Sequence, residues 1–233
     1  MTLKELKEIL NKQGVEVSDL MLEQLDSYAK YLIEANQVMN LTAINEYQEI
    51  IEKHFYDSIR PFINHVNNES ILDVGSGAGF PSIPLKIIYN QLSITIVEPT
   101  KKRCVFLENL VSKLSLNNVT IINARAEDYI NEKREYFDIV TARAVASMNI
   151  LAELCIPFVK VNGRVIVLKG SKGNQEYIEA KNAIRILGCK LVNIDEYNLS
   201  DDSKRTNFYF IKINKTDKKY PRHYSKIKNK PLQ

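Results

Sequence analysis

The sequence predicts an α/β fold: an open, mostly parallel sheet covered by helices on both faces and preceded by a helical region. Three observations carry this. From Ser70 onward short apolar runs alternate with helical patterns, the rhythm of a parallel sheet with crossover helices. Before Ser70 the apolar residues recur at helical spacing only. Between the two lies S-I-L-D-V-G-S-G-A-G-F, residues 70–80, which reads as a buried strand, a glycine-rich turn and a helix start. A strand, such a turn and a helix N-terminus make a cradle for a nucleotide-like ligand.

The elements follow in order. Leu3, Leu6, Ile9 and Leu10 predict a first helix, with Gly14 as its stop. Ser18 is a candidate N-cap for a longer helix with Met21, Leu22, Leu25, Tyr28, Ala29 and Leu32 on one face, ending near Met39. N-L-T-A-I, residues 40–44, breaks it, and a further helical stretch is expected over 46–63. Strands are expected at 71–74, 93–98, 119–123, 137–142 and 164–169, and helices at 81–89, 101–114, 126–131 and 146–159. A helix over 174–187 and two strands at 190–197 and 207–213 complete the chain, with Asp201–Ser203 suggesting a hairpin-type connection. Composition divides it into a helical region at 1–65, a main domain at 66–214 and a basic tail at 215–233.

At 233 residues, 45% hydrophobic and 26% charged, the chain reads as an ordinary soluble protein. No apolar run approaches the ~18 residues of a membrane span, and the charged N-terminus has no signal-peptide core. Cys104, Cys155 and Cys189 are far apart and odd in number, and the three histidines are scattered. Neither a metal site nor a disulfide framework is expected, and a reduced, cytoplasmic compartment fits best. The net charge of +4 hides an asymmetry. From Lys212 onward eight Lys and Arg face only Asp217, a local +7, so the preceding 211 residues are net acidic. Such a segment is the footprint of a polyanion or, alternatively, a solvated terminus.

In the turn, Gly75, Gly77 and Gly79 depart from the dinucleotide fingerprint G-x-G-x-x-G, because the third glycine comes one residue early and Phe80 takes its place. Asp73 just before the turn would repel a pyrophosphate but could hold a cationic group or ribose hydroxyls. The D-x-G-x-G-x-G pattern resembles motif I of class I S-adenosylmethionine (SAM) methyltransferases. Glu98, ending the second strand, can accept hydrogen bonds from both hydroxyls of a ribose, a device that NAD-dependent enzymes share. Ala126, Glu127 and Asp128 open the helix after the third strand, where an adenine edge could be read; acids there also simply favour the helix dipole. The fourth strand ends at Arg143 and the fifth at Lys169. No N/D-P-P-Y/F loop for amine methylation is present, and Cys155 reads better as a buried helix residue than as a nucleophile. A ring nitrogen bearing no proton, such as guanine nitrogen-7, could take a methyl without a general base. Arg143 could then hold guanine oxygen-6, the SAM carboxylate or a phosphate, or serve as a structural ion pair.

Several segments together resemble the bacterial RsmG/GidB family from about Tyr31 to the C-terminus. They are N-L-T-A-I (40–44), H-F-Y-D-S-I (54–59), I-L-D-V-G-S-G-A-G-F-P (71–81), K-R-C-V-F-L (102–107), A-R-A-V-A-S (142–147), L-K-G (168–170) and K-Y-P-R (219–222). The resemblance implies a class I SAM-dependent methyltransferase with a Rossmann-like, seven-stranded, mostly parallel sheet. It implies an activity on guanine nitrogen-7 of small-subunit (16S) rRNA. It further implies that Gly75, Phe80, Ala126, Glu127 and Arg143 are SAM-binding positions, beside Asp73, Gly77, Gly79 and Glu98. Ser82 stands where the family usually has glycine, and Glu98 where it often has aspartate. Lys219, Arg222, His223, Tyr224, Lys226, Lys228 and Lys230 become candidate RNA contacts, since they interleave aromatics with charge. His54 and Asp57, three apart, share a helix face that either joins them or braces the N-terminal helices. A monomer is expected. The rival readings are a non-catalytic RNA-binding protein on this fold and an NAD-dependent oxidoreductase.

Overall fold

The computed structural model describes residues 1–232. The chain groups into two compact units, one made of 1–68 and 76–123, the other of 69–75 and the chain from Ala124 onward. Seven strands form one sheet in the order β3-β2-β1-β4-β5-β7-β6.

The first unit begins with α1 (Leu3–Lys12). A capping box starts it: the Thr2 side chain accepts from the Glu5 N–H, and the Glu5 carboxylate accepts from the Thr2 N–H. Helix α2 (Asp19–Met39) starts at Ser18, whose hydroxyl accepts from the Met21 N–H, and ends at Asn40 in a left-handed conformation. Its expected apolar face is buried at Leu25, Tyr28, Ala29 and Leu32. The break at N-L-T-A-I is knitted by Asn36, whose amide donates to the Thr42 carbonyl at 2.8 Å and accepts from the Thr42 N–H at 2.9 Å. The following stretch is helical as expected but irregular. It passes through α3 (Tyr47–Glu49), a π-helical segment Ile50–Tyr56, α4 (Asp57–Ile59) and a 3-10 turn Arg60–Phe62. After the glycine-rich turn, α5 (Ser82–Ile88) is buried along its whole length and touches α2 and α4. Then come β2 (Ser93–Val97), α6 (Lys101–Lys113) and β3 (Val119–Ile122), with β2 and β3 parallel.

In the second unit β1 (Ser70–Val74) runs parallel to β4 (Phe137–Arg143). Asp138 anchors the start of the pair by accepting from both the N–H and the hydroxyl of Ser70. Helix α7 (Ala126–Lys133) precedes β4. The helix expected to reach residue 159 stops early: α8 (Met148–Cys155) gives way to a 3-10 turn, Ile156–Phe158. Pro157 has no N–H to continue the ladder, which accounts for the stop. β5 (Val159–Lys169) therefore starts five residues sooner than the apolar run at 164–169 suggests. Its first half is interrupted by a register shift opposite Phe137 and Ile139, where Gly163 lies so close to the Asp138 and Lys160 carbonyls that a Cβ would not fit. Helix α9 (Gly173–Ile186) and the antiparallel β6 (Cys189–Asn198) and β7 (Lys204–Lys212) follow, β7 pairing antiparallel with β5.

The basic terminus is folded. Lys212, counted with the tail on charge, is fully buried, donating to the Ile156 carbonyl at 3.0 Å and pairing with Glu135 at 3.1 Å. A short helix, α10 (Tyr224–Asn229), buries Ile227.

Candidate functional site

The turn after β1 is closed by two bonds to one carbonyl: the Gly79 and Phe80 N–H groups both donate to Ser76 O at 3.0 Å. Gly75, Gly77 and Gly79 all have positive φ, yet their missing side chains serve different ends. At Gly75 a Cβ would stand 2.9 Å from the Val145 side chain. At Gly79 it would meet Ile83 at 2.8 Å and the Tyr28 hydroxyl at 2.9 Å. At Gly77, φ +61°, it would meet nothing within 4 Å. Gly77 is thus the residue whose bare backbone faces open space, and the Ser76 hydroxyl beside it is buried without a hydrogen-bond partner among the described residues.

Glu98, just past β2, is 1% exposed. One carboxylate oxygen accepts from the Gly77 N–H at 3.2 Å and the other from the Thr100 N–H at 2.9 Å. A carboxylate offers about four acceptor positions, so two remain for hydroxyl donors. The open space at Gly77, the orphaned Ser76 hydroxyl and this acceptor fit a nucleoside with a ribose diol.

The turn is held from the helical region. Tyr28 on α2 donates its hydroxyl to the Ala78 carbonyl at 2.5 Å, and its ring stacks on Phe80 at 5.4 Å between centroids. His54, in the π-helical segment, stacks on the other side chains of this cluster through Phe80 at 4.3 Å. The His54 Nε2 lies 2.8 Å from the Thr42 hydroxyl. N-L-T-A-I and H-F-Y-D, recognisable as motifs without an evident task, thus meet through Thr42 and His54 against the ring of Phe80. Asp57 is buried as well. The Phe80 ring is 7% exposed, so it packs inward.

In the second unit Asp73 is fully buried, in register with Thr141 of β4. Arg143 closes β4 and is half-buried, followed by Ala144 at φ +57°. Lys169 closes β5, and its ammonium donates to the Ala146 carbonyl at 2.5 Å and pairs with Glu176 at 2.7 Å. Glu176 also accepts from the Met148 N–H at 2.9 Å. Lys169 and Glu176 together therefore tie down the segment that follows Arg143.

Ala126 is buried at the start of α7, with Glu127 half-buried beside it. Glu127 lines an open cavity of about 470 Å³ with Arg125, Asp128 and residues of α10. Of the candidate RNA contacts, Arg222 is committed within the chain. Its backbone N–H and guanidinium make three hydrogen bonds of 2.6–2.8 Å to Glu153, which is fully buried. That pairing raises the Arg222 pKa further. His223 accepts from the Ser225 N–H at the start of α10, and Lys219, Lys226, Lys228 and Lys230 are exposed. Tyr28, Arg125 and Glu153 escaped the sequence reading. Tyr28 fits an apolar helix face, and nothing local shows where its hydroxyl points; Glu153 sits in an apolar helix as an unexplained charge.

All three thiols are buried. Burial pushes Cys155 and Cys189 up to about 12 and raises Cys104 as well. Among the described residues no group of three or more His, Cys, Asp or Glu side chains could hold a metal ion, and no helix is long and apolar enough to cross a membrane.

Comparison with known proteins agrees with this geometry. Among solved structures, M. jannaschii TYW2 in complex with AdoMet matches with a TM-score of 0.57 at 20% identity, over 69% of this chain and 76% of that one. A precorrin-6y methyltransferase from Geobacter metallireducens matches with a TM-score of 0.54 at 14% identity, over 75% and 92%. At these identities the likeness shows the fold, the seven-stranded sheet of class I methyltransferases. Relatives by sequence include the ribosomal RNA small subunit methyltransferase G of Brevibacillus brevis, 42% identical over 237 residues and covering 100% of both chains. That of Lactobacillus acidophilus is 45% identical over 230 residues, covering 96% of each. The family model described as rRNA small subunit methyltransferase G, GidB, spans residues 21–206. Matched along its whole length by these relatives and across most of it by the family model, the chain belongs to the rRNA small subunit methyltransferase G family.

Proposed function

We propose that this protein transfers a methyl group from SAM to nitrogen-7 of a guanine in small-subunit rRNA. The observation that carries the reading is Gly77, a backbone position facing open space whose N–H rests on the buried Glu98 carboxylate. SAM, when bound, supplies a methyl group activated on a sulfonium. Glu98 would accept the ribose hydroxyls with its two remaining acceptor positions, Gly77 would allow close approach, and Ala126 and Glu127 would read the adenine edge. Asp73, Gly75 and Gly79 shape the turn, Gly75 and Gly79 by admitting Val145 and Tyr28.

The acceptor, guanine nitrogen-7, is what the family resemblance implies, and the buried thiols fit it. A pyrimidine carbon would need a cysteine nucleophile, and buried thiols held near 12 are protonated at neutral pH. Guanine nitrogen-7 attacks with its own in-plane lone pair and has no proton to lose. The protein's part is then positioning and electrostatics. Arg143 orients the guanine or an adjoining phosphate, and Lys169 acts as a positioning residue through the Ala146 carbonyl. Lys219, Lys226, Lys228 and Lys230 supply the charge that meets RNA. An rRNA substrate places the enzyme in the cytoplasm, where free thiols persist, and a monomer suffices for the site.

Tritiated SAM incubated with small-subunit rRNA and with the small subunit itself tests this. Label should enter one guanine, and mass spectrometry should place it on nitrogen-7. Absence of label from every ribosomal substrate would overturn the enzyme reading; label on another atom would overturn the acceptor assignment.

A further inference from the structure

The cavity beside α7 and α10 shares Glu127 with the cofactor site and Lys228 with the basic terminus, but the rest of its lining has no task in the chemistry described so far. It is an open space of about 470 Å³ between the start of α7 and the C-terminal helix α10, lined among others by Arg125, Asp128, Tyr224 and Lys228. The Arg125 guanidinium lies 5.4 Å from the centroid of the Tyr224 ring. Among the described residues neither Arg125, Asp128 nor Lys228 takes part in an ion pair, although charges of both signs line one cavity.

We propose that this cavity is a subsite for one single-stranded nucleotide of the RNA substrate. The inference rests on the RNA-methylating reading above and adds to it the place and the base preference. The Arg125 guanidinium lies over the Tyr224 ring, and the pair together is the stacking platform, because tyrosine and arginine planes are the surfaces on which unpaired bases stack. Lys228 is exposed at the rim and meets the phosphate as a point charge. Asp128 accepts a hydrogen bond from an exocyclic amine. Cytosine, adenine and guanine carry such an amine, whereas uracil presents only carbonyl oxygens and a ring N–H, so the subsite disfavours uridine. Glu127, on the same cavity, is left to the cofactor. The α10 helix is held by buried Ile227 and by the Arg222–Glu153 pair just before it, so the Tyr224 ring is presented from an anchored element.

Anisotropy of labelled six-nucleotide oligo(C) and oligo(U) with the full chain, alongside calorimetry with SAM, tests this. The intact protein should bind oligo(C) more tightly than oligo(U). Tyr224→Ala should weaken oligo(C) binding about tenfold, while Tyr224→Phe keeps it. Lys228→Gln, at an exposed position, should lower the log–log salt slope by about 0.7. Asp128→Asn should narrow the gap between oligo(C) and oligo(U). SAM affinity should stay constant throughout. If the intact protein binds neither oligonucleotide nor rRNA, the RNA reading itself falls. If it binds them and all three variants bind alike, only the subsite is overturned. A loss of SAM affinity in place of oligonucleotide affinity would assign the cavity to the cofactor.

Discussion

The glycine-rich turn and the C-terminal segment are both short pieces of backbone held against a larger body, and they are held by opposite means. Around the turn the fastening is mostly aromatic: Tyr28 and His54 stack on Phe80 and one hydroxyl reaches the Ala78 carbonyl, with a single carboxylate, Glu98, accepting from the Gly77 N–H. The C-terminal segment is fastened by charge, through Arg222 on Glu153 and Lys212 on Glu135, with Glu153 and Lys212 fully buried. Stacked rings exert short-range, geometry-dependent attraction and tolerate small adjustments in spacing. A buried charge tolerates very little, because removing its partner leaves it desolvated and uncompensated. The two regions should therefore fail differently.

The largest effect is expected in the charged region. Arg222→Ala leaves Glu153 buried without its partner and should lower unfolding stability by about 3–5 kcal/mol, read by urea denaturation. A loss under ~1 kcal/mol would mean that the segment is merely laid on the surface. Gly77→Asp comes next. It places a carboxylate in the open space beside Glu98 and requires a side chain at positive φ, so SAM affinity by calorimetry should fall by at least a hundredfold. The fold itself should lose only about 1–2 kcal/mol from the strained φ. By contrast Gly79→Ala, driven into Ile83 and Tyr28, should damage the fold as well as binding.

Tyr28→Phe is a finer test of the aromatic region. It keeps the stack and removes the hydroxyl that donates to Ala78, which should cost about 1 kcal/mol. If the hydroxyl positions the turn, KM for SAM should rise several-fold with kcat nearly unchanged; unchanged KM would make Tyr28 a packing residue only. The smallest effect is tied to acid. Burial alone would raise the Asp138 carboxyl, but Lys160 and the Ser70 hydroxyl and N–H outweigh it and hold it at about 2. A depressed folded-state pKa contributes stability above the unfolded value near ~3.9, which is lost as pH falls toward 2. Asp138→Asn should thus flatten the decline in stability between about pH 4 and pH 2 and change little about the turn.

The same contrast explains which parts could be read in advance. Helix α2 was legible because its buried face repeats at helical spacing and Ser18 caps it, both local properties. The strands at 71–74 and 93–98 were legible as short apolar runs with an acid at or next to the end, Asp73 and Glu98. The early start of β5 was not, because Lys160, Asn162 and Gly163 carry no strand pattern; the pairing of Val159 with Phe137 of β4, across a register shift, starts the strand there. The folded terminus was hidden for a related reason. A run of lysines looks alike whether it is solvated or latched, and the partners Glu135 and Glu153 lie some 60–80 residues away in the chain.

By itself, then, the sequence determined the α/β class, the cradle at residues 70–80, the acid at Glu98 and the family, since each depends on neighbours within a few residues or on motif spacing. Only the tertiary structure decided what each glycine is for. All three share positive φ and look equivalent in the chain, but what a Cβ would strike is set at Gly75 by Val145 and at Gly79 by Tyr28 as well as the nearby Ile83, Val145 and Tyr28 coming from distant parts of the chain, while at Gly77 nothing lies within 4 Å.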